Sequence, residues 1–324
     1  MRSGTVATWA VAGLWILVGA SFQGQKKQVP FPIQLFNEAK AEDYIGETPC
    51  KDCHPDAVAS FDRSVHSSYV RKPGSPPDKT GCEACHGPGA FHLDQDHPRN
   101  ISYSKLSAAD VSAACLRCHA DVMKPTHWSR TAHSRADVSC VSCHRIHTPE
   151  MGERSTERVG AAGIVLNPLS SGGRAAKRLL KGPESVMCGK CHRIEAGEFM
   201  LNSHHPVPEG VLTCSDCHDL HPTRAAAKKV TAFKDKCVAC HASMAGPFVY
   251  EHDPVAGLTG DGCTECHKPH GSHNPRLLKS FSRGLCAQCH TDKAATHNPG
   301  QTCWAAGCHA SLHGSNTSQQ FLSP

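Results

Sequence analysis

One five-residue phrase constrains this chain more than any other feature: Cys50-Lys51-Asp52-Cys53-His54, two cysteines two residues apart with a histidine directly after the second. It is the attachment pattern of a c-type haem. Each thiol can add to a haem vinyl group as a thioether, and the histidine can take one axial position on the iron. The phrase returns at Cys82, Cys85 and His86; at Cys115, Cys118 and His119; at Cys140, Cys143 and His144; and at Cys188, Cys191 and His192. It continues at Cys214, Cys217 and His218; Cys237, Cys240 and His241; Cys263, Cys266 and His267; and Cys286, Cys289 and His290. A tenth copy, Cys303, Cys308 and His309, is stretched by Trp304, Ala305, Ala306 and Gly307, and the ten together use all 20 cysteines. A disulfide framework would not need a histidine after every second cysteine. Structural zinc would need four protein ligands per site. The expected cofactor is ten covalently bound haem c groups, each with its iron.

Composition fits a core that is not built from side chains. Aromatic residues are 6% of the 324, against 27 glycines and 22 prolines, too loop-rich for an ordinary globule of this length. Porphyrins can supply the missing apolar volume, so the apoprotein is expected to be largely disordered. The expected fold class is a multihaem cytochrome c: elongated, mostly coil with short α-helices, a haem-packed core and little or no β-sheet. The formal charge of +5 does not argue for nucleic acid, because ten bis-histidine haems with ionised propionates would add about −10 to −20.

The histidines carry the next layer. Of 24, ten close the phrases as proximal ligands. Ten more stand in register with them as candidate distal ligands: His66, His92, His133, His147, His205, His221, His252, His270, His297 and His313. Taken two phrases at a time, the chain reads as five dihaem units, each with two spare histidines. His97, His127, His204 and His273 remain, with His97 an alternative to His92, His127 to His133 and His204 to His205. The two ligands of one iron must approach from opposite faces of the macrocycle. His147, His221 and His270 follow their own proximal histidine by three residues, too short a span to wrap a porphyrin edge. Each is therefore expected to serve a haem bound by another phrase, which laces neighbouring haems together.

Along the chain, Arg2 precedes an apolar run from Val6 to Ala20, and Val18-Gly19-Ala20 presents small residues at a cleavage position. Residues 1–20 read as a secretory signal peptide, with an uncleaved anchor as the alternative. Export implies a periplasmic destination, where covalent haem attachment occurs. Residues 21–49 read as an extended arm, 50–324 as the decahaem region, and 148–187 as a basic insertion loop. Ser107 with Asp110 predicts the start of a helix entering Cys115–His119. Pro55 suits the first turn of a helix running through Phe61 towards His66.

Ligand supply then bounds the chemistry. A haem that activates a small molecule needs a vacant iron position, whereas here the distal candidates match the phrases one for one. No catalytic residues are expected, and the methionines show no comparable register. Ten six-coordinate haems describe an electron-transfer protein, not an enzyme. A compact globule of about 300 residues would have a radius of gyration near ~19 Å. An elongated wire could reach across a ~30 Å hydrocarbon core, but only inside a protein sheath.

Longer stretches add specificity: Cys82–Gly89 (CEACHGPG), Ala136–His147 (ADVSCVSCHRIH), Leu212–His221 (LTCSDCHDLH), Gly246–Val255 (GPFVYEHDPV), Cys263–Ser272 (CTECHKPHGS) and Cys308–Asn316 (CHASLHGSN). With these the chain, from about Tyr44 to Asn316, resembles the decahaem periplasmic cytochromes of porin–cytochrome conduits, the MtrA/DmsE type. The resemblance implies a wire of two pentahaem halves seated in an outer-membrane β-barrel porin. It implies periplasmic electron-donor cytochromes on one side and an extracellular multihaem cytochrome on the other, with no direct lipid contact. The stretched tenth phrase and the long insertion depart from that family pattern. The competing readings are a soluble periplasmic or filament-forming multihaem shuttle and, from a different class, a multihaem reductase with at least one open iron.

Overall fold

A computed structural model describes residues 31–94, 102–147, 179–221, 232–256, 260–297, 301–304 and 307–323. The signal-peptide segment, residues 21–30 of the arm, His97 and residues 148–178 of the insertion lie outside them. The described residues form a succession of short helical turns joined by coil. Among the described residues the longest helix is Ala108–His119 and the only sheets are two-stranded. No helix among them is long and apolar enough to cross a membrane.

Conventional packing is sparse. The core cluster is Phe61, Val70 and Ala84, with Cys85 and Ile146 against it. Burying a side chain such as Phe61 contributes about 2 kcal/mol. Its helix, Pro55–Asp62, begins on the proline as expected but stops short of His66. Ser64 breaks the run: its extended backbone ends one helix and its Oγ accepts from the His66 amide, opening the helix Val65–Val70. His66 therefore sits in a first turn, aimed independently of Phe61.

Part of the arm is not extended either. Phe31–Glu38 is a helix that buries Leu35 and packs on Ala108–His119. Arg117, from the latter, lies 3.4 Å from the ring centre of Phe36 and bonds Asp78 at 2.9 Å. The cation–π contact and the buried leucine give this segment a reason to fold back. Ser107 caps the Ala108–His119 helix as its sequence predicts, its Oγ accepting from the Asp110 amide at 3.1 Å.

The strands are bridges between units. β1 (Ser203–His204) pairs antiparallel with β3 (Gly271–Ser272), and β2 (Tyr250–Glu251) with β4 (Gly314–Ser315). A second device clamps the fourth and eighth phrases. The amide of Arg145 donates to the Leu179 carbonyl at 2.7 Å and that of Lys181 to Cys143 at 2.9 Å. Lys268 donates to Leu277 at 2.7 Å and Lys279 to Cys266 at 2.8 Å in the same way. Leu179, Leu277 and Phe321 all take positive φ (52°, 60° and 58°), and Phe321 accepts from the Ser311 amide near the last phrase. Residues 179–187 are consequently not loop: Leu180 bridges His144, and Glu184, buried, opens a helix into Cys188 while its carboxylate accepts from the Ser215 amide and hydroxyl.

Candidate haem-ligating site

Each of the nine regular phrases folds as one helical turn, and this explains their spacing. Residues three and four apart share a helix face, so the two thiols and the following imidazole point to one side. The turn is closed by the histidine amide donating to the first cysteine's carbonyl, for example His54 to Cys50 at 2.8 Å, His144 to Cys140 at 2.9 Å and His290 to Cys286 at 2.9 Å. The stretched tenth phrase keeps this bond: the His309 amide meets the Cys303 carbonyl at 3.1 Å, with Gly307 turning back at φ +78°. No disulfide links the cysteines. Among the described residues no cluster of three or more His, Cys, Asp or Glu is set to hold a bare metal ion.

Every phrase histidine faces a histidine of the second set. Two imidazole nitrogens on opposite sides of one metal, each at about 2 Å from it and about 1 Å from its own ring centre, put the ring centres about 6 Å apart. The observed separations are 6.3 Å for His54–His92, 6.2 Å for His86–His147 and 6.0 Å for His66–His119. They are 5.9 Å for His144–His221, 6.0 Å for His133–His192 and 6.0 Å for His218–His270. The last four are 6.2 Å for His205–His241, 6.2 Å for His267–His313, 6.3 Å for His252–His290 and 6.3 Å for His297–His309.

The facings follow a rule. His66, His133, His205 and His252, after the first, third, fifth and seventh phrases, face the histidines of the third, fifth, seventh and ninth. His147, His221, His270 and His313, after the fourth, sixth, eighth and tenth, face those of the second, fourth, sixth and eighth. His92 and His297 close the two ends within their own units. No inner unit is complete without both neighbours.

Orientation and protonation suit metal binding. Nδ1 of His205 lies 2.6 Å from the Pro269 carbonyl, that of His252 3.0 Å from Leu312, that of His267 2.8 Å from Arg276 and that of His309 2.7 Å from Gln320. A ring that donates from Nδ1 leaves Nε2 free as a ligand. Burial pushes His66, His218, His252 and His313 below the usual histidine range, and the facing imidazole adds to it. A neutral ring is the ligating form. His204 has both nitrogens engaged, Nδ1 at 2.6 Å from the Leu201 carbonyl and Nε2 at 3.0 Å from Glu209, which leaves its neighbour His205 to face His241.

Thiol contacts give the order of the phrases in space. First cysteines lie beside each other within each unit, close enough for one thiol to shift the other: Cys50 with Cys82, Cys115 with Cys140, Cys188 with Cys214, Cys237 with Cys263 and Cys286 with Cys303. Second cysteines lie close enough to act on each other's charge between units: Cys85 with Cys118, Cys143 with Cys191, Cys217 with Cys240 and Cys266 with Cys289. Each phrase thus has the phrase before it and the phrase after it as neighbours.

The chain is 31% identical over 293 residues to the multiheme cytochrome MtrA of Shewanella baltica, covering 84% of this chain and 79% of that one. This chain belongs to the MtrA-type multihaem cytochromes c. Within this cytochrome, residues 252–295 match the doubled CXXCH motif, and 91–145 with 187–268 match the cytochrome c554 and c-prime family. A shorter stretch of 82 residues is 33% identical to the C-type polyheme cytochrome OmcC of Geobacter sulfurreducens, spanning only 10% of that longer protein. The cytochrome binds haem c covalently and belongs to electron transport.

The sequence reading missed the carboxylates that meet the histidine rings. Glu198 Oε2 lies 3.3 Å from His270 Nδ1 and Glu195 Oε2 3.8 Å from His192 Nδ1. Missed too was the clamp of the fourth and eighth phrases, although its signal was present as Leu179-Leu180-Lys181 repeated at Leu277-Leu278-Lys279.

Proposed function

We propose that the chain carries ten haem c groups, each ligated by one facing histidine pair, and conducts electrons along their line through an outer-membrane porin. The observation that carries this reading is the facing of all ten phrase histidines by ten others at 5.9–6.3 Å. When bound, each haem supplies one-electron exchange between ferric and ferrous iron. The phrase histidines and the histidines that face them would hold each haem iron from two sides, leaving none open to substrate, and the closeness of successive phrases would keep each electron step short. That is the work of a wire and not of an enzyme. Location in the periplasm, docking in a β-barrel porin, donation by periplasmic cytochromes and exchange with an extracellular multihaem cytochrome follow from the family resemblance.

The test is reconstitution. Co-expressed with an outer-membrane β-barrel porin, the cytochrome should co-purify with the barrel in detergent. In liposomes holding an internal redox dye, external dithionite should bleach the dye only when both proteins are present. A cytochrome that stays soluble without the barrel would instead be a shuttle. A high-spin haem in the oxidised protein would support a reductase.

A further inference from the structure

His270 differs from the histidines whose Nδ1 meets a backbone carbonyl. Its Nδ1 lies 3.3 Å from Glu198 Oε2, while Lys268 Nζ stands 3.9 Å from the other carboxylate oxygen. The contact is held from several sides. Glu198 ends the helix Arg193–Glu198, and the Phe199 ring lies 5.3 Å from that of His270. Gly271 passes so close beneath the helix end that a Cβ there would collide with the Glu198 carbonyl oxygen. The β1–β3 pairing fixes Gly271 opposite His204. The carboxylate is half-buried beside the ring at 28% exposure, where its field is less screened than at a free surface.

We propose that Glu198 sets the reduction potential of the haem held by Cys214, Cys217 and His218, keeping it lower than a neutral residue would. The proposal rests on the ligand assignment above, in which His270 faces His218. A carboxylate this close to Nδ1 makes the imidazole a stronger donor through Nε2, and its negative charge favours the more positive ferric iron. Reduction takes one electron from an external donor, with no bond formed or broken and no proton moved. Lys268 opposes the effect by partly neutralising the carboxylate.

The experiment is an electrode titration of the holoprotein and two variants, with the component assigned by its absence in Cys214→Ala/Cys217→Ala. Glu198→Gln keeps the shape and an acceptor oxygen but removes the charge. It should raise that one midpoint by roughly tenfold in the reduction constant, about 59 mV for one electron, and leave the others in place. Lys268→Ala should move the same midpoint down, and it carries the test if Glu198→Gln does not fold. A Glu198→Gln titration superimposing on that of the unsubstituted protein, or both variants shifting it in one direction, would overturn the proposal. A high-spin signal from this haem in the unsubstituted protein, seen before any substitution, would overturn the ligand assignment itself and the tuning with it.

Discussion

His147 stands 6.2 Å from His86, ring centre to ring centre, and not against His144, which precedes it by three residues. Its Nδ1 reaches the Ala57 carbonyl and the Ser60 hydroxyl, each at 3.1 Å, on a helix between the first and second phrases. One histidine thus ties the fourth phrase to the first unit. Repeated along the chain, this exchange makes each unit lean on the next, much as stacked repeats do.

Replacing His147 with alanine should therefore open the haem at Cys82–His86. The oxidised protein should gain one high-spin signal. That signal should survive removal of the fourth haem by Cys140→Ala/Cys143→Ala and vanish with Cys82→Ala/Cys85→Ala. The opposite pattern would sink the cross-laced assignment.

Gly271→Ala should be costly, because the obstacle to its Cβ is the Glu198 backbone carbonyl and not a side chain that can turn away. A loss on the order of 2–3 kcal/mol is expected, read as a lower midpoint in denaturant. β1 and β3 lead directly to His205 and His270, so the haems at Cys237–His241 and Cys214–His218 should be the first to turn high-spin as denaturant rises. Uniform loss of all ten would argue against a local bridge.

Ser64→Ala removes the cap of the Val65–Val70 helix. The expected cost is about 1 kcal/mol. Hydrogen exchange should quicken at the His66 amide, which loses its Ser64 Oγ acceptor, while the Ala108–His119 helix keeps its protection. No change at His66 would show that the facing pair with His119, rather than the cap, holds this turn.

Deleting Ala305 and Ala306 brings Cys303 and Cys308 to the spacing of the other nine phrases. The stretched copy already closes the His309-to-Cys303 bond, so the haem count by pyridine haemochrome should remain ten and the spectrum low-spin. Loss of one haem would mean that the extra residues are required for attachment there.

Much of this protein was written in local sequence. The Cys-x-x-Cys-His spacing is a property of one helical turn, so it declares haem attachment without reference to the rest of the chain. The cap at Ser107 and the scarcity of strands were legible for the same reason. The Ser64 break was hidden because Pro55, Phe61 and His66 suit one continuous helix equally well, and only the serine's bond to the His66 amide separates two. The helix at Phe31–Glu38 was hidden because its stabilisation comes from Arg117 and Leu35 packing across the chain.

The sequence by itself determined that ten haem phrases exist, that ten further histidines stand in register with them, and that three of those could not serve their own phrase. Tertiary structure alone decided which ring faces which: forward by one unit for the odd set, backward for the even set, and closed on itself at His92 and His297. The physical reason is that an axial pair is a contact across a macrocycle between segments far apart in the chain. Its partners are selected by where the helical turns and the β1–β3 and β2–β4 bridges carry the backbone, and no local spacing records that.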